Sequence, residues 1–148
     1  MKPVAKFTKH LVTMIKYYTI EKDNYDDAGK VSSEIKRTLK QLGLDKSILR
    51  NIAIACYEAE INMIIHSDGG KITFELNDEG EVTLNFDDVG PGIENLEKAM
   101  QPGYSTASSK ARALGFGAGM GLVNMKRVAT EFNITSSPNG THLKMRFY

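Results

Sequence analysis

The sequence predicts an α/β (α+β) fold, a two-layer sandwich in which helices cover one face of a mixed, mostly antiparallel sheet. Residues 72–76 and 82–86 alternate apolar and polar side chains around the turn residues 77–80, which predicts a β-hairpin. Apolar residues recur at helical spacing over residues 31–42 and 48–59, which predicts two amphipathic helices. One apolar face on each kind of element favours a layer of helices packed on a sheet.

Residue composition and helix-capping residues predict the strand and the two helices of the first half of the chain. Residues 12–20 are rich in β-branched and aromatic side chains and predict a strand. Residues 24–27 are typical helix-start residues, and Gly43 is placed to end the first helix as a C-cap. Asp45 can cap the second helix, which we expect to run to about His66.

The second half begins with the hairpin and ends with another. Between them, residues 95–100 predict a short helix, and residues 101–119 combine a proline, four glycines and a Ser/Thr cluster without a sustained period. A long irregular segment of this kind in a compact domain predicts a lid. Residues 120–132 predict a helix, and residues 133–137 and 141–148 predict the second hairpin.

Composition narrows the class of protein. The 148 residues are 41% hydrophobic and 25% charged, and we expect one globular domain over residues 1–148. The net charge of +1, with scattered lysines and arginines, argues against nucleic-acid or anionic-membrane binding. No long apolar run or secretion signal is present in the sequence, so we expect a cytoplasmic protein. The single cysteine, Cys56, lies in an apolar helical stretch and predicts a buried, inert thiol.

Three short segments carry the candidate chemistry, and the first pairs Glu58 with Asn62. The two residues are four apart in a predicted helix and therefore project from one face. An amide oxygen can serve Mg²⁺ bound to a triphosphate, and a carboxylate one turn away can accept a proton from an attacking hydroxyl or water. The alternative is an ordinary polar face, to which we assign Glu60. His66, on the same face, either approaches phosphate or lies at the surface.

The second segment, residues 88–92, follows a strand and turns on Gly90 and Gly92. A carboxylate at Asp88 can accept a hydrogen bond from the adenine amino group, which guanine lacks at that ring position. A glycine at position 92 would let a planar base approach the backbone. The alternative is a plain Asp–Gly turn.

The third segment, residues 115–122, is a glycine run that leads into a helix. It is not followed by Gly-Lys-Ser or Gly-Lys-Thr, and Met120 and Leu122 stand where the third glycine of a dinucleotide-binding motif would fall. Backbone amides at a helix N-terminus still favour phosphate. Lys110, upstream, either adds charge from a closed lid or is a solvated surface lysine.

The order of these segments resembles that of the GHKL ATPases with their Bergerat fold. Glu-Ala-x-x-Asn, Asp-x-Gly-Pro-Gly-Ile and Gly-x-Gly-x-Gly-Leu are similar to motifs of the bacterial anti-sigma-factor and switch serine/threonine kinases, over roughly residues 30–148. Residues 103–106 and 124–127 are most similar to the switch-kinase branch, which acts in stress-response partner switching. Residues 107–114 make the lid longer than in that branch.

The resemblance implies a role for each site residue. It implies Glu58 as general base, Asn62 as magnesium ligand and Asp88 as the residue that reads adenine. The further nucleotide contacts that it implies or leaves as candidates are Gly90, Gly92 and Thr141 at the base, and Gly117, Gly119, Gly121, Leu122, His66 and Lys110 at the phosphates.

The resemblance also implies a function. With ATP and Mg²⁺ as cofactors, the protein would phosphorylate a small antagonist protein of the STAS type. The alternative is an anti-sigma factor, or another protein that sequesters a regulator and uses bound ATP or ADP to switch partners. Further partners that it suggests are a sigma factor, a phosphatase and a second copy of the chain.

Overall fold

The computed structural model describes residues 11–105, 107 and 120–148. Its strands are β1 (Val12–Ile20), β2 (Gly70–Asn77), β3 (Val82–Asp88), β4 (Glu131–Ser137) and β5 (Gly140–Phe147). Its helices are α1 (Lys30–Gln41), α2 (Lys46–His66), α3 (Leu96–Ala99) and α4 (Gly121–Val128), with a 3-10 turn at Tyr25–Asp27. The lid segment predicted at residues 101–119 falls largely outside the described residues.

The five strands form one sheet in the order β1-β2-β3-β5-β4, and each of its four pairings is antiparallel. The register places Ile72 opposite Phe86 and Phe86 opposite Leu143, so apolar side chains form rows across the sheet. The alternate positions, such as Lys71 and Asp87, are exposed on the other face. The prediction of helices on one face of a mostly antiparallel sheet is therefore confirmed.

Helix α2 lies at the centre of the core. Ile52, Cys56 and Ile64 are buried between the sheet and the neighbouring helices. Burial raises the pKa of the Cys56 thiol, so the thiol stays protonated and is a poor nucleophile, as the sequence predicted. In the part of the chain that the structure describes, no helix has the length and apolar character needed to cross a membrane.

The end signals around α2 are confirmed. Gly43 adopts a left-handed conformation, φ +77°, and follows Leu42, the C-cap of α1. Asp45 caps α2, because its Oδ1 accepts hydrogen bonds from the backbone N–H groups of Ser47 at 2.9 Å and Ile48 at 3.2 Å. Helix α2 ends at His66, where the sequence placed its end.

Two predicted helix ends are wrong. Helix α1 begins at Lys30, because residues 24–27 form only the 3-10 turn and its N-cap. The predicted helix over residues 120–132 ends at Val128, and residues 131 and 132 belong to β4. Pairing with β5 explains the second error: Arg146 binds Glu131 at 2.6 Å, and Phe132 packs against the core. Local helical spacing cannot anticipate such a partner.

Glu60 also departs from its prediction as a polar-face residue, because it is fully buried. Its Oε2 accepts from Gly29 N at 2.9 Å and its Oε1 accepts from Ser32 N at 2.9 Å. Gly29, the N-cap of α1, has no side chain to offer, so α2 caps α1 across the helix interface. Position 60 lies about 200° around the helix from position 58, so this contact fixes α1 to the rear of α2.

Glu60→Ala should destabilise the protein by roughly 1–3 kcal/mol, because it removes the acceptor of three backbone N–H groups, those of Gly29, Val31 and the buried Ser32. Urea unfolding would measure the loss, with Glu97→Ala, an exposed residue of α3, as control. A midpoint for Glu60→Ala equal to that of the control would contradict the cross-helix cap.

Candidate functional site

One cavity of about 950 Å³ lies between α2, the turn after β3, the start of α4 and the β4–β5 hairpin. Its volume suits a small-molecule ligand. Most of the predicted site residues line it: Glu58, Asn62, His66, Asp88, Gly92, Gly121, Leu122 and Thr141. Gly90 is buried behind the turn, where its Cα faces Asp68 and Ser67 and does not line the cavity. Gly117, Gly119 and Lys110 lie outside the described residues.

Glu58 and Asn62 converge on the first residue of α4. A Cβ built at Gly121 would lie 3.2 Å from Glu58 Oε2 and 3.1 Å from Asn62 Nδ2. A side chain at position 121 would therefore crowd the pair, which would have to move by a few tenths of an ångström. The glycine lets the start of α4 sit directly over the carboxylate and the amide.

At this end of the cavity, a divalent cation would need oxygen ligands from a bound molecule in addition to those of the protein. Within the described residues, no three His, Cys, Asp or Glu side chains form a cluster that could hold a metal. Asn62 offers one amide oxygen, with a carboxylate one turn away on the same face. Mg²⁺ commonly binds in this way, taking one or two protein oxygens and completing its shell with phosphate oxygens and water.

The start of α4 supplies donors for an anion. Met120 is the N-cap residue of α4, and its side chain makes no capping hydrogen bond. Among the residues that the structure describes, no side chain therefore caps the N–H groups of the first turn. The dipole of the helix adds partial positive charge at this end. Leu122 is buried in the core, which anchors the first turn, while part of it lines the cavity.

His66 ends α2 at the rim of the cavity. It lies about 12 Å along the helix from Glu58, given the rise of 1.5 Å per residue. Loss of surrounding solvent lowers the pKa of its imidazole, so the ring is mainly neutral at pH 7. At this site His66 therefore offers a hydrogen bond rather than a full positive charge.

Asp88, the last residue of β3, lies at the other end of the cavity and is half-buried. Its Oδ1 accepts from Thr141 N at 2.8 Å. The hydrogen bonds among the described residues do not use Oδ2. Burial raises the pKa of this carboxyl, and the bond from Thr141 only partly offsets that effect. The site thus holds a carboxylate oxygen that is available to a ligand donor.

Two glycines allow the β4–β5 hairpin to lie against this turn. A Cβ at Gly140 would overlap the carbonyl oxygen of Asp88, and a Cβ at Gly92 would overlap the carbonyl oxygen of Ser137. Both glycines also have positive φ angles, +148° and +73°. Gly92 is therefore required by the approach of the hairpin, a reason that the sequence did not suggest.

Ser136 is a polar residue of the site that sequence reasoning missed. Its Oγ accepts from Ile93 N at 2.7 Å and lies 2.8 Å from Thr141 Oγ1. A serine in a strand carries no signal of this role until the register sets it opposite Thr141. The apolar part of the wall includes Phe86, Ile134 and Leu143.

The arrangement combines three features in one cavity. Apolar walls and a free carboxylate oxygen suit a planar base that carries an amino group. A helix N-terminus suits phosphate, and a carboxylate–amide pair beside it suits a metal ion and proton transfer.

Comparisons with known proteins agree with this geometry. Residues 22–147 match the histidine kinase-like ATPase domain. The chain is 36% identical over 114 residues to an anti-sigma F factor of Caldanaerobacter subterraneus subsp. tengcongensis, covering 71% of this chain and 75% of that protein. It is 30% identical over 113 residues to the serine/threonine-protein kinase RsbT of Bacillus subtilis, covering 74% and 79%.

A solved structure shares the fold. The crystal structure of the RsbU and RsbW domains of a Mycobacterium tuberculosis protein superposes with a TM-score of 0.62 at 19% identity. The match covers 90% of this chain but 32% of that longer one. The family match spans most of the sequence and the fold agrees with it, so this chain belongs to the family of histidine kinase-like ATPase domains.

Proposed function

We propose that this protein binds ATP with Mg²⁺ and phosphorylates a hydroxyl group of a small STAS-type antagonist protein. The observation that carries the proposal is the single cavity that joins the free oxygen of Asp88 to the Glu58–Asn62 pair under the start of α4. Base recognition, phosphate binding and proton transfer each have a group in that cavity. The relative named as a serine/threonine-protein kinase supports the same activity.

At the base end, Asp88 would accept a hydrogen bond from the amino group of adenine. Thr141 N occupies Oδ1, which holds the carboxylate in place and leaves Oδ2 for the ligand. At the phosphate end, the first turn of α4 would donate its N–H groups. Residues of both ends line the same cavity, so an extended nucleotide could lie across it.

Bound Mg²⁺–ATP would supply the transferable phosphoryl group and the metal charge that eases its transfer. Asn62 offers its amide oxygen to the metal. Glu58 accepts the proton of the attacking hydroxyl. Without such a base, the oxygen that forms the new bond to phosphorus would keep its proton and carry a positive charge. Gly121 keeps the space above both side chains clear of a Cβ.

A second function has support of its own. Several relatives, including the one at 36% identity, are named anti-sigma F factors. Tyr57, Tyr104 and Met120 line the cavity and are also exposed, with 42%, 42% and 39% of their surface accessible. Exposed aromatic and methionine side chains are typical of protein interfaces. A nucleotide-dependent sequestering protein is therefore the alternative, and the kinase assay separates the two.

Glu58→Gln should retain most nucleotide affinity yet lose phosphoryl transfer by roughly 10²–10⁴-fold, the usual contribution of a general base. Asn62→Ala should weaken the magnesium-dependent part of nucleotide binding as well. Transfer of label from γ-labelled ATP to a purified STAS-domain protein, beside a magnesium titration of ADP affinity, measures both effects.

Glu97→Gln, at an exposed position of α3, provides the matched control for these variants. Full transfer by Glu58→Gln would remove Glu58 from its role. No transfer by the parent protein, together with tight nucleotide-dependent binding of a partner, would favour the sequestering function.

Asp88→Asn should weaken the preference for adenine over guanine. Thr141 N still requires an acceptor, so the amide oxygen should take the place of Oδ1 and the NH₂ group should face the ligand. ADP affinity should fall about 5- to 150-fold, the equivalent of 1–3 kcal/mol for a mismatched buried polar group, while GDP affinity falls less. Calorimetry with both nucleotides tests this; unchanged ADP binding would exclude Asp88 as the base-reading residue.

The same substitution should stabilise the free protein at neutral pH. The pKa of Asp88 is higher in the folded state than in an unfolded chain, so its ionised form is disfavoured by folding. That cost is present above the raised folded pKa and disappears below the ordinary Asp pKa. The Tm of Asp88→Asn should therefore exceed that of the parent at pH 7.5, with the gain shrinking toward pH 4. A pH-independent difference in Tm would contradict this origin.

A further inference from the structure

A second, smaller depression lies next to the cavity, between the first half of α1 and Tyr57 of α2, with a volume of about 410 Å³. We call it the α1 groove, and its lining includes Gly29, Lys30, Ser33, Glu34, Arg37 and Tyr57. The ring of Tyr57 packs over Gly29, where a Cβ would lie 3.3 Å from a ring carbon. Since Tyr57 lines both the groove and the cavity, the two meet at its side chain.

The α1 groove is positively charged. Helix α1 carries basic residues at positions 30, 36, 37 and 40, and Glu34 is its single acidic residue. Lys30 is paired with Asp27, and Glu34 Oε1 lies 3.7 Å from Lys16 Nζ. Arg37 is exposed and makes no hydrogen bond or ion pair with any residue that the structure describes. Its guanidinium is therefore available to a carboxylate from another molecule.

The backbone at the start of α1 does not supply the recognition. The carboxylate of Glu60 already accepts from the N–H groups of Gly29 and Ser32, each at 2.9 Å, and places a negative charge under this helix end. An anion is therefore not drawn to the first turn. Recognition in the groove depends on the side chain of Arg37.

Charge also indicates where the occupant of the groove comes from. The parts of this chain outside the described residues fall within residues 1–10 and 106–119, and neither stretch contains Asp or Glu. Both contain basic residues, which the groove would repel. The complementary occupant is therefore a carboxylate-bearing segment of another molecule.

We propose that the α1 groove is the docking site of the phosphoacceptor protein, in which Arg37 binds an Asp or Glu close to the acceptor hydroxyl. The inference rests on the proposed kinase function, because that function requires a second protein to bring its hydroxyl to Glu58. Glu58 follows Tyr57 in α2 and lines the cavity. A protein that sits in the groove and against Tyr57 is thus next to the base, and Arg37 determines which proteins dock there.

The test separates docking from chemistry, with a purified STAS-domain protein as the acceptor. Arg37→Glu should raise the KM for this acceptor about 10-fold, because two carboxylates would then face each other, while kcat and the Kd for ADP stay unchanged. Lys144→Glu is the matched control. Lys144 is exposed in β5 on the other face of the sheet, and its substitution changes the net charge by the same amount.

Ser33→Glu provides a second variant that keeps Arg37. Ser33 is exposed, lines the groove and lies one turn before Arg37, so the introduced carboxylate would pair with the guanidinium within α1. This variant should be at least as stable as the parent and should still raise the KM several-fold, since Arg37 is engaged. Replacing the carboxylates that flank the acceptor hydroxyl by lysine should restore docking to Arg37→Glu.

Binding of the same acceptor in the presence of ADP gives the comparison without phosphoryl transfer. Equal KM and Kd values for Arg37→Glu and Lys144→Glu would overturn the docking site and leave the proposed function intact. Self-association of the parent that Arg37→Glu abolishes, with unchanged acceptor binding, would make the groove a contact between copies of the chain and overturn the docking site as well. A parent protein that binds no ADP, or that neither binds nor phosphorylates the acceptor, would instead overturn the proposed function and this inference with it.

Discussion

The close approach of the β4–β5 hairpin to the turn after β3 is the contact on which the base end of the cavity depends. Two chain segments about 50 residues apart meet backbone to backbone, at Gly140 against Asp88 and at Gly92 against Ser137. Only glycine permits such contacts. Once the segments meet, the hydrogen bond from Thr141 N orients the carboxylate of Asp88. The position of the candidate base-reading group thus follows from backbone sterics.

Helix α2 orients the side chains at the other end of the cavity, and each of its faces has a different role. Ile52 and Ile64 pack in the core, while Glu60 caps α1 from a fully buried position. These contacts hold the rotation of the helix about its axis. Glu58 and Asn62 therefore face the start of α4 without any hydrogen bond between them to hold them there. The orientation of the candidate reacting groups is set by packing behind them.

The polar groups of the cavity lower the stability of the free protein, which a purely structural role would not explain. Asp88 is half-buried with a raised pKa, and the hydrogen bonds of the described residues use only one of its oxygens. Among the residues that the structure describes, no side chain caps the first turn of α4. Buried or uncapped groups of this kind lower the stability of the free protein, and they cluster at binding sites because a ligand can satisfy them. Their shared cavity is the physical basis for assigning one ligand to both ends.

The sequence by itself determined what depends on near neighbours along the chain. Strand β1, the central hairpin, the span of α2 and its Asp45 cap follow from periodicity and end signals, and the spacing of Glu58 and Asn62 places them on one helix face. Asp88 and its glycine turn were visible for the same reason.

Only the tertiary structure decided the features that join distant segments. The polarity of Glu60 predicts a solvent-exposed residue, and only the fold brings the N-terminus of α1 over it. Ser136 likewise gains its partners only when the strand register and the turn bring Thr141 and Ile93 next to it. The early end of the last helix depends likewise on pairing with β5. Most of these contacts join groups that are remote in the chain, such as Ser32 with Glu60 and Ile93 with Ser136, and local propensity contains no information about such partners.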